Sequence, residues 1–196
     1  MEGKNGMLRE SHYLSGRLTT LVEAHADRLT RDTVNKLQSS QQTPSYRKLP
    51  YGELHFRVNE VYQNLGRWLW EKTDAVIQSW YNELGERRCT EGIPLSEVLW
   101  ALTVTKQQLI DDLDACTIAD SAIELYRRQE LDRLIGHFFD RAAYYTAVGY
   151  ERSRVLTETA SQSRKNHGAW VAYRNRDFPG SFRSVSHSSF SPYKGR

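Results

Sequence analysis

The chain has 196 residues, of which 39% are hydrophobic and 26% charged, with mean hydropathy −0.68 and formal net charge +3. That is enough for one domain with a real core, too short for two comfortable ones, and the composition of an ordinary globular protein. No apolar run approaches the ~20 residues of a membrane-crossing helix, and MEGKNGMLRE at the start lacks the apolar stretch of a signal peptide.

Apolar residues recur at helical spacing almost throughout, and no convincing period-two strand stands out. The first helix is expected from about Ser15 to Leu37, with Leu14, Leu18, Leu21, His25 and Leu29 as its stripe and Ser15 as its cap. The polar loop SSQQTPSYRK follows, with Pro44 inside it and Pro50 closing it. The second helix starts near Pro50 and carries Leu54, Val58, Val61, Tyr62, Leu65 and Leu69. A third spans about Thr73 to Leu84, with Asp74 in its first turn and Gly85 as its stop.

Pro94 opens the fourth helix, whose face is Leu95, Val98, Leu99, Leu102, Leu109, Ile110 and Leu113. Asp111, Asp112 and Asp114 oppose the dipole at its end, so it is expected to stop soon after Leu113. The fifth and longest runs from about Ala119 into the 150s. Its seam of Leu131, Ile135, Phe138, Ala142, Tyr145, Gly149, Arg152 and Leu156 steps by fours and threes, the coiled-coil interval. The expected architecture is an all-α domain of five or six helices over residues 13–158. A flexible N-terminus (1–12) precedes it, and a disordered basic tail (159–196) follows. From Ser161 onward seven Lys and Arg face one Asp, a net +6, whereas residues 1–160 carry 20 basic and 23 acidic residues, a net −3. Nucleic-acid association therefore has to rest on that tail, whose Arg, Trp, Tyr and Phe are compatible with weak single-strand binding over residues 161–196.

The chemistry-bearing residues are few. His25 lies within an apolar stripe and His55 at the edge of another. Each reads as a buried neutral histidine with one partner, or as a ligand to haem or another small molecule. Lys106 sits mid-stripe on the fourth helix, either snorkelling to the rim or waiting for an anionic ligand or a buried carboxylate. His137 and Asp140 share a helical face with Arg133, whose charge opposes a metal ion, so no metal site is expected. Cys89 lies beside Arg87 and Arg88 with no histidine near it in sequence, and the two cysteines, Cys89 and Cys116, make no disulfide framework. No P-loop, Gly-x-Ser-x-Gly, His-Glu-x-x-His or dinucleotide turn occurs. Neither catalytic residues nor a cofactor are expected. Trp100 and Val104 form an (i, i+4) pair behind the stripe of the fourth helix. With Leu131, Ile135, Phe138, Ala142 and Tyr145 on the last seam they are candidates for a homodimer contact. Another helix of the same chain could equally cover both.

The segment LGERRCTEGIPLSEVLWAL (84–102), with PSYRKLPYGEL before it and HFFDRAAYYTAVGYER after it, resembles the N-terminal sensor domain of the RsbR-type stressosome proteins, the RsbT co-antagonists. The resemblance covers roughly residues 15–155, and its most specific piece is GIPLSEV. It implies a globin-like helical domain without haem. Such a domain dimerises, receives signals or partners without catalysis, and continues through its last helix into a phosphorylatable STAS domain. No STAS domain follows in this sequence, which implies a free-standing cytoplasmic sensor or dimerisation module.

Overall fold

The structure, a computed structural model, describes residues 2–71, 73–116 and 121–177. Among these it contains six helices and no strand: α1 (Glu2–Ser39), α2 (Pro44–Arg47), α3 (Tyr51–Glu71), α4 (Asp74–Thr90), α5 (Leu95–Cys116) and α6 (Ala122–Asp177). The chain is all-α with a long last helix, as its periodicity predicts. It divides into two units, residues 1–155 and 156–196; the core described below belongs to the first.

Three boundaries differ from the sequence-based expectation. α1 begins at Glu2, so residues 2–12 of the segment expected to be flexible have a helical backbone and Ser15 lies inside the helix rather than capping it. No proline interrupts the chain before Pro44, and a nucleated helix propagates through ordinary residues. α6 continues to Asp177, past the expected start of the tail at 159. Apolar periodicity reports burial rather than helicity, and residues 160–177 hold Ala, Gln, Lys and Arg with no proline. The remainder of the expected tail, 178–196, lies outside the described residues.

The third difference is Gly85, which lies inside α4 rather than ending it. The stop comes at Gly92, whose φ of 72° is the left-handed conformation that glycine adopts without steric cost. Gly92 N–H donates to Cys89 O (3.0 Å) and Ile93 N–H to Arg88 O (3.1 Å), so two end carbonyls of α4 are satisfied in a Schellman turn.

Gly85 serves a different purpose. A Cβ on it would stand 2.7 Å from Tyr150 N and collide with the Thr146 carbonyl. A Cβ on Gly149 would stand 2.8 Å from Asn82 Cα and collide with the Asn82 carbonyl. α4 and α6 therefore cross backbone to backbone, with a glycine on each side of the contact.

That crossing brings α6 onto an aromatic cluster. Phe138 lies 5.7 Å from Trp68 and 5.8 Å from Tyr81, ring centre to ring centre. Leu131, Ile135, Phe138 and Ala142 are buried in the chain's own core, with Tyr145 packed partly buried against it. At about 25 cal/mol per Å² of apolar surface, each large side chain there stabilises the fold by roughly 1.5–3 kcal/mol. A polar seam crosses the same core. Tyr62, fully buried, shares a hydrogen bond with Thr33 Oγ1 (2.9 Å) and donates to Thr105 O (3.2 Å), which ties α1, α3 and α5 together. The carboxylates that seemed to oppose the α5 dipole each meet a cation from another helix. Asp111 pairs with Lys36 (3.1 Å), Asp114 with Arg128 (2.9 Å), and Asp112 with His25 and Arg28.

Gly85→Ala and Gly149→Ala should each destabilise the protein by about 3 kcal/mol or more, because backbone has to move to admit the methyl group. Gly66→Ala, whose Cβ would meet nothing within 4 Å, should instead stabilise by about 0.5–1 kcal/mol through helix propensity. Urea unfolding followed by circular dichroism measures all three. The same assay applies to Tyr81→Phe. The Tyr81 hydroxyl is buried without a hydrogen-bond partner, and burial pushes its pKa well above the usual tyrosine range. Its removal should leave stability unchanged or raise it by about 1 kcal/mol.

Candidate functional site

The arginines and carboxylates between Leu84 and Val98 form a charged clasp. Arg88 is only 4% exposed, and its Nη1 reaches both oxygens of Glu91 at 3.1 and 3.0 Å. Arg57 from α3 reaches the same carboxylate at 2.9 and 3.1 Å and also pairs with Glu53. Partial burial raises the Glu91 pKa, but the two guanidiniums more than offset this and hold it below the usual carboxylate value. Tyr46 lies beside Arg88, and burial pushes its pKa up to about 12 despite the neighbouring cations, so it stays a neutral phenol. In the first turn of α5, the buried Glu97 carboxylate accepts from Ser45 N–H (2.7 Å) and Ser45 Oγ (3.0 Å). Glu97 thus fastens the first turn of α2 to the first turn of α5.

The other sequence candidates are also held by neighbours. His25 Nδ1 lies 2.9 Å from the nearly buried Asp112 carboxylate, which also takes the Arg28 guanidinium, so this histidine tethers α1 to α5. His55 stands beside Tyr51 on its own helix, with ring centres 6.0 Å apart. Lys106 pairs with Asp140 at 3.5 Å and keeps its side chain partly exposed, which resolves its position as a snorkelling lysine with a surface partner. His137 stacks on Trp68 (5.6 Å), and Arg141 takes the neighbouring Asp74 (2.9 Å). Among the described residues, no group of three or more His, Cys, Asp or Glu is placed to hold a metal ion.

The dimer candidates need a correction. Leu131, Ile135, Phe138 and Ala142 pack inside the chain's own first unit and have no surface left to offer a partner. The regular spacing is real, but the occupants of its holes are α3 and α4. Val104 is likewise packed against the core, while Trp100 stays 41% exposed.

A concavity of ligand size lies between α1 and α3. A groove of about 400 Å³ is lined by Thr19, Val22, Glu23 and Ala26 of α1 and by Asn59, Tyr62, Gln63, Gly66 and Arg67 of α3. Its volume falls within the usual ~300–1,000 Å³ of small-molecule sites. A second cavity beside Arg57, Arg88 and Tyr46 measures only about 30 Å³, room for about one water molecule. His25, His55 and Lys106 line neither. The groove escapes sequence reading because its polar residues resemble the edges of two apolar stripes. The usable signal is the small pair, Ala26 and Gly66, set beside stripes of Leu, Val and Tyr. No helix among the described residues is long and apolar enough to cross a membrane. The expected basic side chains of the tail, from 163 onward, lie outside the described residues.

The pairing at Glu91 sets a pH dependence. With its folded-state pKa lowered from 4.5, its contribution is complete above pH 4.5 and is lost as pH falls through the folded value. Glu91→Gln should flatten that acid limb in denaturation midpoints measured from pH 6 to pH 3. At pH 7 it should cost about 1–3 kcal/mol, because Arg88 loses its charged partner in a buried setting.

The chain matches no known protein family, no curated protein and no solved structure.

Proposed function

We propose that this chain is a non-catalytic sensory and protein-interaction module of the RsbR-type stress-signalling kind, acting as a homodimer. The observation that carries the reading is the α1–α3 groove, an open receptor-sized concavity on the unit in which the long last helix begins. A ligand or partner in the groove alters how α3 packs against its neighbours, and α6 relays that change. The resemblance of residues 84–102 to the stressosome sensor segment supports the same reading, and so does the use of the charged motif residues as structural ties rather than as reactive groups.

With the seam buried, the dimer contact falls to the opposite face of α6. Tyr126, Tyr144 and Val155 fall there at 100° per residue, 46%, 62% and 53% exposed. Trp100 is a further contact, since an exposed aromatic of this size is typical of interface anchors. Size-exclusion chromatography with light scattering tests the assembly. A dimer is expected at micromolar concentration, and the double variant Tyr144→Glu/Val155→Glu should elute as a monomer with unchanged helicity. Ile135→Glu should unfold the protein instead, because Ile135 is core. A wild-type monomer at tens of micromolar overturns the dimer.

A further inference from the structure

Resting on the sensory reading, we infer that the α1–α3 groove receives a small zwitterion: a primary ammonium and a carboxylate carried on an apolar body of amino-acid or dipeptide size. The register of the two helices is antiparallel, with Leu37 and Leu54 sharing one cavity wall and Thr33 bonded to Tyr62. That register brings Glu23 on α1 to the level of Arg67 on α3, and both line the groove. The two charges are opposite, yet no ion pair joins them, and among the described residues neither has another charged or hydrogen-bonded partner. Both side chains are exposed at the mouth of the groove. An anion and a cation on the two walls of one groove are complementary to a molecule with the reverse pair at its two ends. A plain anion meets repulsion from Glu23, and a plain cation meets it from Arg67.

The remaining lining fits the body of such a molecule. Val22 and Ala26 supply apolar surface, and the Tyr62 ring closes the floor while its hydroxyl is committed to Thr33 and Thr105. Asn59 and Gln63 add amides, each able to donate and accept, which suits a peptide bond or a second polar group. Gly66 keeps the wall open, because a Cβ there would meet nothing within 4 Å.

Isothermal titration calorimetry on the full chain tests the site. The probes are L-leucine, L-phenylalanine and leucyl-leucine, set against N-acetyl-leucine and leucinamide. At least one zwitterion should bind in the micromolar-to-millimolar range, and blocking either charge should weaken it by about tenfold or more. Glu23→Gln and Arg67→Gln should each reproduce that loss in the zwitterion while barely changing the derivative that lacks the matching charge. Gly66→Leu should abolish binding with its circular dichroism spectrum intact. The site is overturned if no zwitterion binds at millimolar concentration, if blocked and free forms bind alike, or if neither charge variant changes affinity. Light scattering on the same samples separates the two readings: a zwitterion-binding monomer keeps the site and sinks the dimeric sensor, whereas a dimer that binds no probe does the reverse.

Discussion

The contact on which the rest of the first unit depends is the crossing of α4 and α6 at Gly85 and Gly149. Two helices usually sit 8–10 Å apart because side chains fill the space between them. Here each helix presents a bare backbone, and any Cβ would strike the other's main chain. The closeness sets how deeply α6 enters the core. It carries Phe138 into the aromatic group formed with Trp68 and Tyr81, and it leaves Ile135 and Ala142 without solvent exposure. A wider separation would open cavities along that whole line, and large-to-small core changes show how costly such cavities are.

Around this contact the polar groups work as directional ties. Tyr62 binds a side chain of α1 and a main-chain carbonyl of α5 from a position on α3. Asp112 takes His25 and the Arg28 guanidinium from α1, Glu91 takes one cation from α3 and one from its own helix, and Glu97 caps α2. Apolar burial alone is non-directional. These ties fix which helix faces which, and they let ionisable groups sit at or below the surface with charged or hydrogen-bonded partners. Glu23 and Arg67 take no part in these ties; both are exposed and line one groove.

How much of this was legible depends on what each residue signals. Leu54, Val58, Tyr62, Leu65 and Leu69 announce a helix face through spacing alone, and the structure buries all five. The seam on α6 was equally legible as a pattern, yet spacing carries no information about whose holes its knobs fill, and Phe138 proved to belong to the chain's own core. Gly85 was misread because a glycine after an apolar run has two uses, turning the chain or admitting another backbone, and only the tertiary partner distinguishes them. Its counterpart Gly149 falls on the seam spacing, which does not reveal that it admits another backbone either. The groove was invisible because a cavity is a property of what two stripes leave unfilled between them. The backbone of α6 beyond 159 was missed because helicity without burial leaves no apolar rhythm.

The tether at Asp112 also bears on how fast this chain reaches its fold. It joins residues 87 and 84 positions apart in sequence, at His25 and Arg28. Individual helices form within about a microsecond, but the tether and the glycine crossing both close long loops before any local reward offsets the lost chain entropy. The crossing also allows no partial docking, since its tolerance is a fraction of a methyl group. An all-helical chain ordinarily belongs among fast folders because its contacts are local. Here these contacts join distant segments, so assembly rather than helix formation is expected to set the pace of folding.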